Sequence, residues 1–208
     1  MTVATAPSFT YRHLPATDAS RPPLLLLHGT GGDENDLIPL GQMISPGSAV
    51  VSPRGKVLEN GMPRFFRRLA EGVFDEADVI RRANELADFV SEARERHGLA
   101  APLAVGFSNG ANIAAALLLL RPEALAGAVL IRAMMPLADA QKPNLAGKPI
   151  LMLTGAMDPI IPEANAAELA RRFEAAGASI DHEVLPAGHS LTQADIRLAR
   201  DWVDKLRA

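Results

Sequence analysis

Ser108 is the residue best suited to covalent chemistry in this 208-residue sequence, because it lies at the centre of the segment Gly106-Phe-Ser-Asn-Gly110. An apolar run of strand type precedes this segment, and an Ala- and Leu-rich run with high helix propensity follows it. A sharp turn between strand and helix exposes the serine hydroxyl at the end of the sheet, beside the unpaired N–H groups of the helix. The pattern predicts a nucleophile; an ordinary turn or helix cap is the alternative.

Two further polar residues follow later predicted strands, and parallel strands bring their carboxyl ends to one edge of a sheet. Asp158 lies in the turn Thr154-Gly-Ala-Met-Asp-Pro-Ile-Ile-Pro162, which prolines make rigid, and His189 lies in the loop Pro186-Ala-Gly-His-Ser190. A turn aspartate and a solvated histidine are the simpler interpretations of each residue alone. The chain order Ser108, Asp158, His189 is that expected of α/β-hydrolases, so we expect these residues to act together.

A glycine-rich loop, His28-Gly-Thr-Gly-Gly-Asp-Glu-Asn-Asp36, follows the first strongly apolar strand. Its glycines allow the backbone to turn tightly and to bring a bare N–H group close to a ligand. We expect the N–H groups of Thr30 and Asn109 to bind an oxyanion. A phosphate-binding loop is the alternative, but the glycine spacing matches neither the P-loop nor the dinucleotide fingerprint. His28 is interpreted as a structural residue that positions the loop.

Composition excludes several other kinds of chemistry. The chain has no cysteine, which excludes disulfides, thiolate metal sites and a cysteine nucleophile. Its five histidines are scattered and form no His-x-x-x-His pair, so a catalytic zinc is not expected. The net charge is −3 with both signs spread along the chain, and no basic stripe indicates a nucleic-acid partner.

The first residues show neither a basic start nor a continuous apolar stretch, so they do not resemble a signal peptide, and a cytoplasmic location is expected. The longest uncharged apolar run covers residues 111–120, which is too short to span a bilayer. It is predicted to be a buried helix.

Strand-like and helix-like segments alternate along the chain, which predicts an α/β fold with a mostly parallel sheet of about seven strands and helices on both faces. The predicted strands are 9–14, 24–28, 49–52, 103–105, 126–131, 149–153 and 180–185. The predicted helices are 36–44, 79–97, 109–120, 163–176 and 192–206. No repeat or change of composition marks a boundary, so residues 1–208 are expected to form a single domain.

Five segments together resemble a known family. The chain is similar to small α/β-hydrolases of the carboxylesterase/phospholipase group, which includes acyl-protein thioesterases and bacterial carboxylesterases, and most resembles its branch of hydroquinone-linked bacterial hydrolases. Nearly the whole chain takes part in the resemblance, and the main departure is Ala156-Met157, where many relatives have a polar pair. The segments that carry the resemblance are His28-Gly-Thr-Gly-Gly-Asp-Glu, Gly61-Met-Pro-Arg-Phe-Phe-Arg-Arg68, Gly106-Phe-Ser-Asn-Gly110, Gly155-Ala-Met-Asp-Pro-Ile-Ile-Pro162 and Gly188-His189.

The resemblance implies a serine esterase that hydrolyses a small-molecule carboxylic ester through an acyl-enzyme, without cofactor or metal. Ser108 would attack the acyl carbonyl, His189 would take and return its proton, and Asp158 would orient the imidazole. The backbone N–H groups of Thr30 and Asn109 would bind the oxyanion. A thioesterase or lysophospholipase acting on longer acyl chains, and a non-catalytic ligand-binding protein on the same fold, are the alternatives.

The substrate pocket is less defined by the sequence. The chain has no room for a large lid domain, which favours a shallow pocket lined by loops 61–69 and 132–137. Its apolar wall is predicted to consist of Phe65, Phe66, Met134 and Met135, although each could be a core residue or a contact in a homodimer. The arginines at 64, 67 and 68 could attract an anionic substrate, but a solvated basic turn is the favoured interpretation.

Overall fold

The structure is a computed structural model that describes residues 9–138 and 143–206. The strands, in chain order, are β1 Tyr11–Leu14, β2 Leu24–Leu27, β3 Val50–Pro53, β4 Val57–Glu59, β5 Met62–Arg64, β6 Arg68–Ala70, β7 Val73–Phe74, β8 Leu103–Phe107, β9 Gly127–Ile131, β10 Pro149–Gly155 and β11 Ser179–Leu185. The helices are α1 Ile38–Ile44, α2 Glu76–His97, α3 Asn109–Leu120, α4 Glu163–Ala175 and α5 Gln193–Lys205, with a 3-10 turn at Pro122–Ala124.

Seven strands form the main sheet in the order β1-β3-β2-β8-β9-β10-β11, and this confirms the predicted mostly parallel α/β-hydrolase sheet. All neighbouring pairs are parallel except β1 and β3. Strands β2 and β9 are buried along their whole length, as expected of apolar strands covered on both faces. The alternating strand β11 lies at one edge, where one face meets solvent.

Helices cover both faces of the sheet, and each face has its own apolar core. One core contains side chains of α2, α3 and α4, and the other contains side chains of α1 and α5, including Trp202.

No large lid domain is present in the described part of the chain, where only two short hairpins, β4–β5 and β6–β7, separate β3 from α2. None of the helices in residues 9–138 and 143–206 has the length and apolar character that a bilayer span requires.

The prediction for α2 was partly wrong. The helix begins at Glu76, three residues before the predicted start, because the Asp75 side chain caps it by accepting a hydrogen bond from the Asp78 N–H. Its apolar side chains are not all on the inner face, since Ile80 is 43% exposed whereas Phe89 is buried. The helix ends, as predicted, at Gly98, whose left-handed backbone (φ +64°) favours glycine.

The two hairpins between residues 57 and 74 were not predicted. Their strands are only two or three residues long, so they carry no period that distinguishes a strand from a loop. Both pairs are antiparallel and separate from the main sheet. This insertion follows β3, and β5, β6 and β7 each contribute a side chain to the cavity beside Ser108.

Helix α3 packs unusually close to the sheet because its second residue is Gly110. A Cβ atom at this position would overlap the carbonyl oxygen of Leu27 at the end of β2. A Cβ atom at Gly106 would lie 2.6 Å from the carbonyl oxygen of Gly110. Both glycines flanking Ser108 are therefore required by backbone contacts between strand and helix, in addition to the turn itself.

We predict that Gly110→Ala destabilises the protein by at least about 3 kcal/mol, because the overlap with Leu27 must be relieved by moving α3. Helix propensity alone would predict that the same substitution stabilises the protein by about 1 kcal/mol. Urea unfolding followed by circular dichroism measures the difference. The control Ser91→Ala, on the exposed face of α2, should change the stability by only a few tenths of a kcal/mol. A Gly110→Ala variant as stable as the parent would contradict this account of the close packing.

Candidate active site

Ser108 lies in the turn between β8 and α3, as the sequence predicts. Its backbone has φ +51° and ψ −113°, a conformation that non-glycine residues adopt only when their surroundings enforce it. The Ser108 N–H donates to the carbonyl of Ile131 (2.9 Å), which extends the hydrogen bonding between β8 and β9, and the Ser108 carbonyl accepts from the N–H of Asn112 (2.9 Å). These contacts fix the residue between the sheet and the helix.

His189 connects Ser108 to Asp158. Its Nε2 atom lies 2.9 Å from Ser108 Oγ, and its Nδ1 atom lies 2.8 Å from Asp158 Oδ2. A carboxylate can only accept, so Nδ1–H donates to Asp158 and Nε2 is left to accept the serine proton. The structure thus brings together the three side chains that were predicted as nucleophile, base and acid.

The Asp158 carboxylate is fully buried, and both of its oxygens accept hydrogen bonds. Its second oxygen, Oδ1, accepts from the N–H groups of Ile160 (2.8 Å) and Ile161 (3.1 Å), while His189 occupies Oδ2. Three donors on one carboxylate stabilise its charged form away from water. His189 keeps 21% of its side chain exposed, so it can reach both the buried acid and a ligand.

The loop that carries His189 is held by Arg132, which sequence reasoning placed only in a pocket-lining loop. Arg132 Nε donates to the carbonyl of Gly188 (2.9 Å) and Nη2 donates to the carbonyl of Ser190 (3.3 Å). Nη1 also donates to the carbonyl of Leu153 in β10 (3.1 Å). The guanidinium therefore fixes the residues on both sides of His189 relative to the sheet.

Asp195 neutralises Arg132 inside the protein. The two side chains form a bidentate ion pair, with Nη1–Oδ1 at 2.8 Å and Nη2–Oδ2 at 3.0 Å. Neither side chain has any exposed surface. Asp195 also accepts from the N–H and hydroxyl of Thr192 in the capping box that begins α5. The Thr-x-x-Asp spacing could have been found in the sequence as a helix start, but nothing local in the sequence indicates its partner Arg132.

His28 positions the glycine loop, in agreement with its predicted structural role. Its Nδ1–H donates to the carbonyl of Gly29 (2.7 Å), and its Nε2 accepts from the N–H of Gly55 (2.9 Å). Burial lowers the pKa of His28, which favours the neutral imidazole that this pattern requires. The loop is further attached to the β4–β5 insertion, because the Gly31 N–H donates to the carbonyl of Pro63 (2.9 Å).

Thr30 and Asn109, the predicted oxyanion donors, both line a cavity of about 230 Å³ that also contains Ser108 and His189. The side chain of Asn109 is buried, and its Oδ1 accepts from the N–H of Phe65 (2.7 Å). The assignment of the two backbone N–H groups to an oxyanion stays a prediction.

The apolar wall of this cavity differs from the one predicted. Met134 lines it, but Met135, Phe65 and Phe66 do not, and both phenylalanines are buried in the core. Two adjacent aromatic residues in an irregular loop carry no sequence signal that shows whether each side chain points into the core or into the cavity. The apolar side chains that line the cavity are Phe74, Phe107, Met134, Ile160 and Ile161.

The favoured interpretation of the arginine cluster was wrong for two of its three members. Arg64 is only 3% exposed, and it lines the cavity together with Arg68. Only Arg67 has the solvated position that was predicted, with 65% of its side chain exposed and an ion pair to Asp75. The net result is a basic wall close to Ser108.

Two asparagines fix the loop at 132–137 on the other side of the cavity. Asn112 Oδ1 accepts from the N–H of Met134 (2.9 Å), and Asn165 Oδ1 accepts from the N–H of Met135 (2.7 Å). Sequence reasoning missed both residues. Asn112 could have been noticed as a polar residue within the apolar run of α3, since a buried amide must be hydrogen-bonded.

A larger depression of about 790 Å³ lies at the opposite edge of the sheet. It is bordered by residues at or just before the starts of the parallel strands, among them Pro23, Leu103, Ala126 and Pro149, and none of the described residues around it is a histidine or carries a carboxylate. Among the residues that the structure describes, no three or more His, Asp or Glu side chains are grouped so that they could hold a metal ion. The candidate chemistry is therefore assigned to the smaller cavity beside Ser108.

Comparison with known proteins identifies the family. The model of the phospholipase/carboxylesterase family matches residues 14–207. The chain belongs to this family. A relative from Bacillus subtilis (strain 168), named "Putative hydrolase MhqD", is 46% identical to this chain over 193 residues, which cover 92% of this chain and 96% of the relative. As a member of a hydrolase family, the protein is an enzyme, as predicted.

Solved structures of relatives have the same fold. The Bacillus cereus carboxylesterase is 46% identical and superimposes with a TM-score of 0.92, covering 95% of the enzyme and 94% of the relative. A carboxylesterase from Mesorhizobium loti is 34% identical with a TM-score of 0.89, covering 94% of both chains. These relatives support esterase activity in this member of the phospholipase/carboxylesterase family.

We predict that Asp195→Asn lowers the free energy of unfolding by about 3–5 kcal/mol, because it leaves the Arg132 guanidinium buried without a countercharge. Urea unfolding measures the change. The control Asp201→Asn, on the same helix, removes an exposed carboxylate that pairs only weakly with Arg200 (3.4 Å), and it should change stability by less than about 1 kcal/mol. Equal effects of the two substitutions would contradict the importance assigned to the buried pair.

Proposed function

We propose that the enzyme is a serine carboxylesterase that hydrolyses small to medium carboxylic esters through an acyl-enzyme on Ser108. The observation that supports it is the continuous hydrogen-bonded chain from Ser108 through His189 to the buried Asp158. This arrangement lets the imidazole accept the serine proton while the carboxylate stabilises the resulting positive charge. The family and the carboxylesterase relatives agree with this reaction class.

Acylation begins when Ser108 Oγ attacks the carbonyl carbon of the ester and its proton passes to His189 Nε2. The carbonyl oxygen becomes an oxyanion, which the N–H groups of Thr30 and Asn109 stabilise. The intermediate then collapses, the bond to the leaving oxygen breaks, and His189 returns the proton to the departing alcohol. Water attacks the acyl-enzyme by the same route and releases the carboxylic acid.

The size and lining of the cavity support small to medium substrates. A volume of about 230 Å³ is below the range of roughly 300–1,000 Å³ that is usual for pockets that bury drug-sized ligands. Only five apolar side chains line it, which leaves little apolar surface for a long acyl chain. We therefore favour a carboxylesterase over a thioesterase or lysophospholipase for long acyl chains. A non-catalytic role is disfavoured because all three members of the relay are present and in contact.

We predict that Ser108→Ala abolishes hydrolysis of p-nitrophenyl acetate and covalent labelling by a fluorophosphonate. The loss in turnover should be on the order of a millionfold, since the variant lacks the nucleophile. Activity is measured by release of p-nitrophenol, and circular dichroism checks the fold. The exposed-face variant Ser91→Ala should be labelled like the parent. If folded Ser108→Ala kept near-parental activity, Ser108 would not be the nucleophile.

The preferred length of the acyl chain distinguishes a carboxylesterase for small esters from a thioesterase or lysophospholipase. In a series of p-nitrophenyl esters, we predict that kcat/KM falls for acyl chains longer than about six to eight carbons, because a cavity of this size cannot bury further methylene groups. Each methylene contributes about 0.8 kcal/mol only where it is buried. A steady rise in kcat/KM beyond about eight carbons would contradict the small cavity and favour the thioesterase or lysophospholipase.

A further inference from the structure

Two guanidinium groups form one wall of the cavity beside Ser108. Arg64 is almost fully buried: its Nη1 donates to the Thr30 hydroxyl (2.5 Å) and its Nε donates to the carbonyl of Phe66 (3.2 Å). Arg68 is 29% exposed and lines the same cavity. Both residues come from the hairpin insertion between β3 and α2, so the insertion brings positive charge to the site.

The positive charge of this wall is only half neutralised by the described residues. One carboxylate, that of Glu59, pairs with both arginines: Arg64 Nε lies 3.1 Å from Oε2, and Arg68 Nε lies 2.8 Å from Oε1. None of the described residues that line the cavity is acidic. The nearby Asp158 is fully buried, and its oxygens are occupied by His189 and two backbone N–H groups. Two cations therefore share one anion.

A partly dehydrated guanidinium without its own countercharge is an unfavourable arrangement that an anionic ligand would improve. Burial takes the Arg64 guanidinium partly out of water and thereby lowers its pKa. Arg68 donates to Glu59 through Nε, and no described residue accepts a hydrogen bond from its terminal nitrogens. Guanidinium N–H groups of this kind match the two oxygens of a carboxylate.

The other residues of the cavity limit what can carry this anion. Phe74, Phe107 and Ile161 are apolar, so the body of the ligand must be apolar and short. We propose that the substrates of the enzyme are small esters that carry a carboxylate, which Arg64 and Arg68 bind while Ser108 attacks the ester carbonyl. This inference rests on the proposed esterase function and specifies its substrate class. The alternative is that the two arginines only fasten the hairpin insertion to the glycine loop.

Matched ester pairs that differ in charge but hardly in size test the proposal. One pair is 4-acetoxybenzoate and 4-acetoxybenzamide, which carry the charge on the alcohol side. The other is mono-4-nitrophenyl adipate and its terminal amide, which carry it on the acyl side. After correction for spontaneous hydrolysis, kcat/KM should be at least about tenfold higher for the anionic member of one pair or both, as a charge-assisted hydrogen bond provides. Added salt should reduce this ratio, because ions screen exposed charges.

Substitutions identify the charge that is responsible. Arg68→Gln removes one cation from the cavity wall, and the ratio of anionic to neutral kcat/KM should fall towards one. The matched control Arg67→Gln removes the neighbouring exposed cation, which does not line the cavity, and should keep the parental ratio. If Arg68→Gln lowered kcat/KM equally for both members of each pair, the arginine would have only a structural role and the proposal would be overturned.

The same measurements distinguish a failure of the proposed substrate class from a failure of the proposed esterase function. Ser108-dependent hydrolysis of both members at equal kcat/KM would overturn the anionic substrate class and leave the esterase in place. A folded parent protein that neither hydrolyses any of the four esters nor reacts with a fluorophosphonate would overturn the esterase itself, and the substrate class with it.

Discussion

The buried ion pair between Arg132 and Asp195 is the contact on which the geometry of the site depends. Two charges without exposed surface are unfavourable in a protein interior unless every donor and acceptor finds a partner. Here the guanidinium also donates to the carbonyls of Leu153, Gly188 and Ser190, and the carboxylate also caps α5. Strand β10, the histidine loop and the last helix are thereby joined at one point.

Backbone strain appears at the same edge of the sheet. Ser108 and Arg132 follow the neighbouring strands β8 and β9, and both have positive φ, +51° and +58°. Their N–H groups donate to the carbonyls of Ile131 and Leu153, so each continues the parallel hydrogen bonding by one residue before the chain turns away. Each such conformation costs on the order of 1–3 kcal/mol, which the surrounding hydrogen bonds and packing must offset. The strained turns place Ser108, the proposed nucleophile, directly after one strand and Arg132, which holds the histidine loop, directly after the next.

The sequence was sufficient to predict the main sheet and to indicate that Ser108, Asp158 and His189 meet at one edge of it, because those features rest on local patterns. Uniformly apolar runs identify buried parallel strands, and functional residues directly after such runs reach a common edge. The contribution of Arg132 was not predictable, since its partner Asp195 is 63 residues away and no spacing rule connects them. The single-domain organisation, the cytoplasmic location and a homodimer stay predictions.

The insertion at 57–74 was the least predictable part of the site, for a physical reason. Its strands are too short to show a period, so the burial of each side chain depends on contacts with distant segments rather than on its neighbours in sequence. Arg64 is buried because Thr30 and Glu59 bind its guanidinium, and Phe65 turns into the core while its N–H binds Asn109. A charged residue predicted to be solvated is therefore inside, and an aromatic residue predicted to line the cavity is not.

These contacts join the two predicted oxyanion donors to the basic wall. Arg64 bonds to the side chain of Thr30, and Phe65 bonds to the side chain of Asn109, so adjacent residues of the insertion hold both donors. Substitution of Arg64 would therefore disturb the geometry of the proposed oxyanion site and the charge of the wall together. Arg68 contributes charge without a hydrogen bond to the side chain of either donor, because its guanidinium is hydrogen-bonded to Glu59. Only at Arg68 can the effect of charge on substrate choice be separated from the effect of geometry on catalysis.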